Sequence, residues 1–182
     1  MEFEPTRLPE VMLFKPRVFG DARGFFFESW QEAKFAAAGI EARFVQDNHS
    51  HSLRHTLRGL HYQIQHPQGK LVRVSKGAVF DVAVDIRRSS PRFGQWVGAT
   101  LDDTNHHGLW VPPGFAHGYL ALSEEVDFLY KCTDLYAPQY ERAIAWNDPH
   151  ISVAWPLPSG TLPTLSAKDA AAPGLRDAET YP

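Results

Sequence analysis

The chain has 182 residues, of which 43% are hydrophobic and 21% are charged, and its formal net charge is −3 at pH 7. These values predict one globular domain over residues 1–182 with a substantial core. The slightly negative charge argues against nucleic-acid binding, and no run of about 20 apolar residues predicts a membrane span. No secretory signal pattern opens the chain, so a cytoplasmic location is expected. A single cysteine, Cys132, excludes an internal disulfide and a cysteine-based zinc site.

The first predicted element is a short helix. Ser29 and Glu32 have the spacing of a capping box, and the segment that follows runs to Gly39, a suitable C-terminal glycine. Further along, the period of the pattern changes from helix to strand. In AVFDVAVDI, residues 78–86, apolar residues alternate with Asp81 and Asp85, which predicts a half-buried strand.

More short strands are predicted after residue 95. The segments are WVGATLD, HGLWVPP, HGYLALS and VDFLYKC, and turn-like pairs such as Asp102-Asp103 and Ser123-Glu124 separate them. Near the C-terminus, Ser166 to Asp169 resembles a helix start before Pro173. The pattern predicts a mainly β sandwich or barrel with a few short helices in the N- and C-terminal parts.

The stretch LRGLHYQIQHPQGKLVRV, residues 57–74, combines an extended pattern with Arg58, His61, His66 and Lys70. Three interpretations are open for these polar residues. The histidines could bind a metal, His61 could be a general base in a pocket for an anionic substrate, or the polar side chains could form the outer face of a half-buried strand.

The metal interpretation meets an obstacle in the spacing of the histidines. PPGFAH, residues 112–117, resembles the second motif of cupins, in which the histidine often binds metal. The first motif needs two histidines separated by one residue, but Gln63 lies two positions after His61, and His66 would face the other side of a strand. His49 and His51 could share a face and join His117. We expect no metal and no cofactor.

The general-base interpretation needs partners for His61. Tyr130 is a candidate acid, Lys70 could stabilise a developing negative charge, and Asp169 could hold the imidazole. These residues lie far apart in the sequence. By composition alone, a lone strand histidine is more often packed or solvated than catalytic, and a tyrosine more often belongs to the core.

Seven segments, taken together and in order, resemble one known family. They are DARGFFFESW (21–30), FVQDNHS (44–50), LRGLHYQ (57–63), VPPGFAHG (111–118), FLYKCTDLYAPQYE (128–141), WNDP (146–149) and LSAKD (165–169). The series closely resembles the dTDP-4-dehydrorhamnose 3,5-epimerase family from about residue 5 to about residue 175.

The resemblance implies a cupin-like jelly roll that works as a homodimer without metal. The implied substrate is dTDP-4-dehydro-6-deoxyglucose, which the family inverts at C3 and C5, the carbons beside the C4 ketone. His61 then resembles the base, Tyr130 the acid on the opposite face, and Asp169 the partner of the imidazole. Lys70 resembles the group that balances the enolate charge.

The resemblance also implies a set of substrate-binding residues. They are Arg23, Phe26, Glu28, Gln46, Asp47, Asn48, Arg58, Lys70, His117, Tyr136, Glu141 and Lys168. Tyr136 resembles the ring that stacks on thymine, and the basic residues suit a diphosphate. The family's N-terminal segment typically crosses to the partner subunit, so Arg23 and Glu28 are expected to serve the partner's site. Arg23 could instead pair with Asp21 in a surface turn.

Four other functions remain to be weighed. They are a C3-only epimerase, a ketoisomerase acting on the same substrate in the same fold, a nucleotide-sugar binding protein without turnover, and a metal-dependent cupin oxygenase. The presence of His61, Tyr130, Lys70 and Asp169 argues against the ketoisomerase and the binding protein. A C3-only epimerase can keep the same base and acid, so it stays the second interpretation, and the oxygenase is the weakest.

Overall fold

The computed structural model describes residues 1–182. Its strands are β1 (Glu2–Pro5), β2 (Met12–Lys15), β3 (Val18–Asp21), β4 (Gly24–Phe27), β5 (Gln46–Leu53), β6 (Leu57–Gln63), β7 (Lys70–Lys76), β8 (Ala78–Asp85), β9 (Trp96–Asp102), β10 (Gly108–Val111), β11 (Phe115–Ala121), β12 (Glu125–Cys132) and β13 (Glu141–Ala143). The helices are α1 (Glu32–Ala37), α2 (Ala167–Ala170) and a 3₁₀ turn (Pro138–Tyr140).

Two antiparallel sheets face each other as a sandwich. The six-stranded sheet has the order β1-β2-β10-β7-β12-β5, and the five-stranded sheet has the order β13-β6-β11-β8-β9. Strands β3 and β4 form a separate hairpin. The predicted mainly β sandwich with short helices in the N- and C-terminal parts is confirmed. No helix has the length and apolar character that crossing a membrane requires.

The main hydrophobic core lies between the two sheets. Val72 and Phe128 from the six-stranded sheet pack with Val79, Leu101 and other residues of the five-stranded sheet, and all four side chains are buried. Burying each such side chain stabilises the fold by about 1.5–3 kcal/mol. A second buried cluster covers the outer face of the five-stranded sheet with residues of the C-terminal segment, including Ile151 and Leu175.

This covering segment makes one sequence prediction wrong. Strand β8 is buried on both faces instead of being half-buried, and Asp81 and Asp85 are fully buried. Val82 and Val84 face the cluster under the C-terminal segment, while Val79 belongs to the core between the sheets. The two aspartates therefore point into the sandwich rather than to solvent.

The two helix starts differ in how well the sequence predicted them. Helix α1 begins after Gln31, whose side chain accepts a hydrogen bond from the Lys34 N–H at 2.8 Å, so the predicted Ser29 cap is wrong. Gly39 follows the helix with φ of +83°, as a C-terminal glycine should. Ser166 caps α2 and accepts a hydrogen bond from the Asp169 N–H, as predicted.

The stretch from residue 57 to 74 forms two strands joined by a turn. Strand β6 ends at Gln63, and His66 lies in the turn with φ of +54°. His66 therefore does not lie on the opposite face of the strand from His61, as the spacing predicted, because it lies outside the strand.

Strands β6 and β11 approach each other closely beside the polar stretch. A Cβ on Gly118 would lie 2.6 Å from the carbonyl oxygen of Arg58, and a Cβ on Gly59, whose φ is +122°, would lie 2.6 Å from the Gly118 Cα. The pairing shifts register here, between His117 and Tyr119. Two facing glycines thus let His61 and Arg58 on β6 lie directly beside His117 and Tyr119 on β11.

Gly118→Ala tests this close approach. The new methyl group has to displace backbone, so we expect a loss of about 1–3 kcal/mol in the free energy of unfolding, measured by urea denaturation. Gly20→Ala is the matched control, because its Cβ would meet nothing nearer than 3.7 Å. Equal stability of the two variants would contradict the packing argument.

Candidate active site

A polar cleft of about 480 Å³ opens between the two sheets. Strands β6 and β11 form one wall, β7 and β12 form the other, and α2 closes one side. Nine of the sequence-predicted residues line it: Arg58, His61, Lys70, His117, Tyr130, Tyr136, Glu141, Lys168 and Asp169. An adjoining space of about 360 Å³ shares five of these residues and adds Gln46 and Asn48.

The imidazole of His61 is held by a carboxylate from a distant part of the chain. Its Nε2 hydrogen-bonds Oδ1 of Asp169, which lies 108 residues later in α2. Asp169 is 4% exposed, whereas the His61 side chain is 28% exposed to the cleft. With the Asp169 carboxylate accepting a hydrogen bond from Nε2–H, the free lone pair of the neutral ring is on Nδ1, which has no partner in the protein.

Asp169 is itself fixed by its helix. Its Oδ2 accepts a hydrogen bond from the Ser166 hydroxyl at 2.8 Å, so the residue that caps α2 also orients the carboxylate. Burial acts to raise the pKa of Asp169, but hydrogen bonds from His61, Ser166 and the Gly59 backbone outweigh it and hold the pKa below its ordinary value. Asp169 is therefore an anion beside His61 at neutral pH.

Tyr130 lies on the wall opposite His61. It comes from β12 in the six-stranded sheet, and its hydroxyl has no hydrogen-bond partner in the protein. Burial raises the pKa of Tyr130 to about 12, and the nearby Arg58 only partly offsets this. The sequence left open whether Lys131 lowers this pKa. Lys131 faces the other side of the sheet, where it pairs with Asp47 at 2.8 Å, so the Tyr130 hydroxyl stays protonated.

Lys70 brings a positive charge into the cleft without a partner. Its ammonium group makes no hydrogen bond or ion pair with the protein, and burial lowers its pKa. Asp81 and Glu141 lie close enough to raise the pKa partly back. A desolvated cation of this kind strongly favours an anionic oxygen beside it.

A second histidine–aspartate pair lies deeper in the same cleft. The His117 Nε2–H donates to both carboxylate oxygens of Asp81 at 2.9 Å, and both residues are buried. Burial raises the pKa of Asp81, while His117 and Lys70 act to lower it. Asp81 was not predicted as a site residue, because its place in an alternating strand indicated a solvent-facing side chain, whereas the covered outer face of β8 turns it inward.

Residues of the cleft mouth pair with one another. Glu141 on β13 forms an ion pair with Lys168 and accepts a hydrogen bond from the Tyr136 hydroxyl at 2.7 Å. Burial acts to raise the pKa of Glu141, but these partners lower it, and the hydrogen bond to Glu141 raises the pKa of Tyr136. Arg58 donates only to the Ser52 hydroxyl and the His51 carbonyl, so no carboxylate neutralises it.

Comparison with known proteins gives the same picture. A family model described as dTDP-4-dehydrorhamnose 3,5-epimerase matches residues 5–177. The chain belongs to the dTDP-4-dehydrorhamnose 3,5-epimerase family. It is 57% identical over 180 residues to the dTDP-4-dehydrorhamnose 3,5-epimerase of Pseudomonas aeruginosa, over 97% of this chain and 98% of that protein. The resemblance of the seven sequence segments is therefore confirmed.

Solved structures extend the comparison to the fold. The structure resembles a dTDP-6-deoxy-D-glucose-3,5-epimerase from Legionella pneumophila in complex with dTDP-4-keto-L-rhamnose, with a TM-score of 0.93 and 50% identity over 97% of this chain and 93% of that chain. A 3′-monoepimerase from Streptomyces bikiniensis in complex with dTDP-quinovose is also similar, with a TM-score of 0.88 and 32% identity over 94% of this chain and 87% of that chain. The cupin-like fold expected for the family is confirmed.

Four of the residues that the family resemblance implicated lie outside this cleft. Arg23 pairs with Asp21 at 2.6 Å in the turn of the β3–β4 hairpin, Glu28 pairs with Lys34 at 2.6 Å, and Phe26 is 70% exposed. Asp47 points to the outer face of β5, away from Gln46 and Asn48.

The other histidines are dispersed. His49 and His51 both contact Asp127 on the outer face of the six-stranded sheet, at 3.3 and 2.9 Å, while His117 faces the cleft. They do not meet, and the structure contains no group of three or more His, Cys, Asp or Glu side chains suited to a metal ion.

Asp169→Asn tests the electrostatics of the pair with His61. A carboxylate whose folded-state pKa is lowered stabilises the fold above its unfolded-state pKa of about 4 and loses that effect as the pH falls through the folded-state value. The difference in free energy of unfolding between wild type and Asp169→Asn should therefore be largest above about pH 4 and shrink below it. Urea denaturation across this range measures the difference.

Asp177→Asn is the control, since Asp177 is exposed and its side chain makes no hydrogen bond. A wild-type to Asp169→Asn difference that stays constant down to about pH 2 would contradict the assigned ion pair.

Proposed function

We propose that this chain epimerises dTDP-4-dehydro-6-deoxy-D-glucose at C3 and C5 to dTDP-4-dehydro-L-rhamnose. The observation that carries the proposal is the opposition of a base and an acid. His61, oriented by Asp169, and Tyr130, protonated and unpartnered, come from different sheets and line the same cleft. Inversion of a carbon beside a ketone needs this arrangement, because the proton has to leave one face and return to the other.

Each inversion follows from the same groups. His61 Nδ1 takes the proton from the carbon, and the electron pair of the broken C–H bond moves through C4 onto O4, giving an enolate. Lys70, the unpaired cation, lies in the cleft to stabilise that oxygen. Tyr130 donates its hydroxyl proton to the opposite face of the carbon as the C4 carbonyl re-forms, and exchange with solvent returns both groups to their starting protonation states.

The nucleotide end of the substrate has its own partners in the proposal. Arg58 is free of carboxylates and suits a diphosphate. Tyr136, exposed at the mouth of the cleft, offers a flat ring for thymine. Gln46, Asn48, Glu141 and Lys168 supply hydrogen bonds to the nucleotide end, and His117, deeper in the cleft, contacts the sugar. The proposal needs no metal or other cofactor, and it places the enzyme in the cytoplasm.

We expect His61→Ala to slow deuterium incorporation at C3 and C5 by at least about a hundredfold, because His61 is the group that removes the proton from each carbon. Tyr130→Phe should retain proton abstraction but impair inversion. The measurement is proton NMR of the substrate in D2O without added metal, coupled to a 4-reductase. His66→Ala and Tyr140→Phe are matched controls, because both residues lie outside the cleft.

The same measurement separates the alternatives. Deuterium at C3 and C5 supports the double epimerase. Deuterium at C3 alone would assign the chain to C3-specific inversion, the activity named for the similar monoepimerase from Streptomyces bikiniensis. Near-normal exchange by His61→Ala would refute its assignment as the base.

A homodimer with exchanged N-terminal hairpins is part of the proposal. The β3–β4 hairpin belongs to neither main sheet and exposes Phe19, Phe25 and Phe26, which are 52%, 63% and 70% exposed. An exposed apolar patch of this kind is typical of a protein–protein interface. The hairpin and the segment after it also carry Arg23 and Glu28, which do not reach the cleft of their own chain.

Mixing two impaired variants tests the exchange. In dimers that contain one Arg23→Ala subunit and one His61→Ala subunit, one site carries both changes and the other carries neither. We expect an equal mixture to recover about one quarter of the wild-type sites after subunit exchange, measured as turnover. His61→Ala mixed with Asp169→Asn should recover nothing, since both residues belong to one cleft. A lack of recovery in the first mixture would contradict the crossing of the hairpin.

A further inference from the structure

The loop that carries Tyr136 is held by a buried glutamine. Residues 134–137 have no regular structure, yet the Gln63 side chain, in a residue only 3% exposed, reaches them with both ends of its amide. Its Oε1 accepts a hydrogen bond from the Ala137 N–H at 2.7 Å, and its Nε2 donates to the Leu135 carbonyl at 3.3 Å. One side chain therefore fixes the peptide groups on both sides of Tyr136.

Two more glutamines hold the same loop. Gln46 Oε1 accepts from the Tyr136 N–H at 2.8 Å, and Gln68 Nε2 donates to the Asp134 carbonyl at 2.8 Å. We call Gln46, Gln63 and Gln68 the glutamine clamp. An amide supplies a donor and an acceptor without a charge, so the clamp satisfies the loop backbone without disturbing the charges of the cleft.

The ring of Tyr136 is fixed at its other end as well. Its hydroxyl donates to Glu141 at 2.7 Å, although Tyr136 is 53% exposed. An exposed tyrosine ordinarily changes rotamer freely, but this one is restrained at both its backbone and its hydroxyl. A rigid, exposed aromatic ring binds a planar ligand with little loss of side-chain entropy.

We propose that Gln63 and Gln68 are positioning residues for nucleotide recognition. They hold Tyr136 in the orientation that stacks on the pyrimidine base before the substrate arrives. This inference rests on the proposed function, in which Tyr136 receives the base. Gln63 and Gln68 also line the space adjoining the cleft, but the Gln63 amide and the Gln68 Nε2 are bonded to backbone groups. Their loss should therefore weaken nucleotide binding and leave proton transfer nearly intact.

Two variants test the clamp. Gln63→Met keeps the side-chain length but removes both hydrogen bonds that flank Tyr136, together with the one that Nε2 donates to the His66 carbonyl at 2.7 Å. We expect the Kd for dTDP, measured by calorimetry, and the KM for the sugar nucleotide to rise about tenfold, part of the effect of losing an aromatic stacking partner. Gln68→Ala loses one hydrogen bond from a partly exposed residue, and both constants should rise about threefold. For both variants kcat should change by less than about twofold.

Hydrogen exchange gives a readout apart from activity. The amide of Ala137 should exchange faster in Gln63→Met than in wild type, because its acceptor is gone. Gln139→Ala is the control: it is exposed in the adjacent 3₁₀ turn, and its side chain makes no hydrogen bond, so all constants should match wild type.

Unchanged dTDP affinity in Gln63→Met and Gln68→Ala would overturn the inference, as would a fall in kcat with an unchanged Kd. Should Gln63→Met fail to fold, Gln68→Ala decides alone. A wild-type protein that neither binds dTDP nor exchanges deuterium would refute the proposed function and the clamp with it. A wild type that does both, with variants that match it, would refute the clamp alone.

Discussion

The hydrogen bond between His61 and Asp169 is the interaction on which the site depends. It joins strand β6 to helix α2 across 108 residues of sequence, and it closes the side of the cleft. The same helix brings Lys168 to Glu141, so one short helix both orients the His61 imidazole and forms an ion pair at the mouth of the cleft. A four-residue helix is marginal by itself, and here Ser166 stabilises it by capping its backbone while bonding the Asp169 carboxylate.

The charges of the cleft are arranged differently from those of the surface. Several ion pairs of the chain, such as Lys34–Glu28 and Lys76–Glu125, join exposed side chains and contribute little to stability. In the cleft, Arg58 and Lys70 face the open space without carboxylate partners, whereas each imidazole has one. Two cations without carboxylate partners are therefore available to an anionic substrate, although the net charge of the chain is −3.

The sequence predicted much of this arrangement, and the failures have physical causes. Alternation and turn residues correctly located β8 to β12, because the period of two is a local property of each strand. Burial of the second face of β8 was not predictable, since the covering segment lies some 65 residues away and packs by tertiary contact. Asp81 was missed for that reason.

Asp47 shows the opposite case, in which local geometry carried more information than the motif. Gln46, Asp47 and Asn48 are consecutive in β5, and neighbouring residues of a strand point to opposite faces. When Gln46 and Asn48 line the cleft, Asp47 has to point to the outer face, where the structure pairs it with Lys131. A continuous motif therefore mixes site residues with residues that only hold the sheet.

A single set of reacting groups has consequences for the proposed double inversion. The cleft offers one imidazole that is open to it, since the His61 side chain is 28% exposed and that of His117 only 8%. It also offers one unpaired tyrosine, Tyr130, and one unpaired ammonium group, Lys70. C3 and C5 are both bonded to C4, so a sugar held through O4 at Lys70 can present either carbon to the same base by a small rotation about that oxygen. Tight binding of the nucleotide is then compatible with a loosely held sugar, because the bound nucleotide retains the intermediate while the sugar ring turns between the two inversions. The restrained part of the site is thus Tyr136, fixed at its backbone and its hydroxyl, while the groups without partners are those that the sugar ring has to meet.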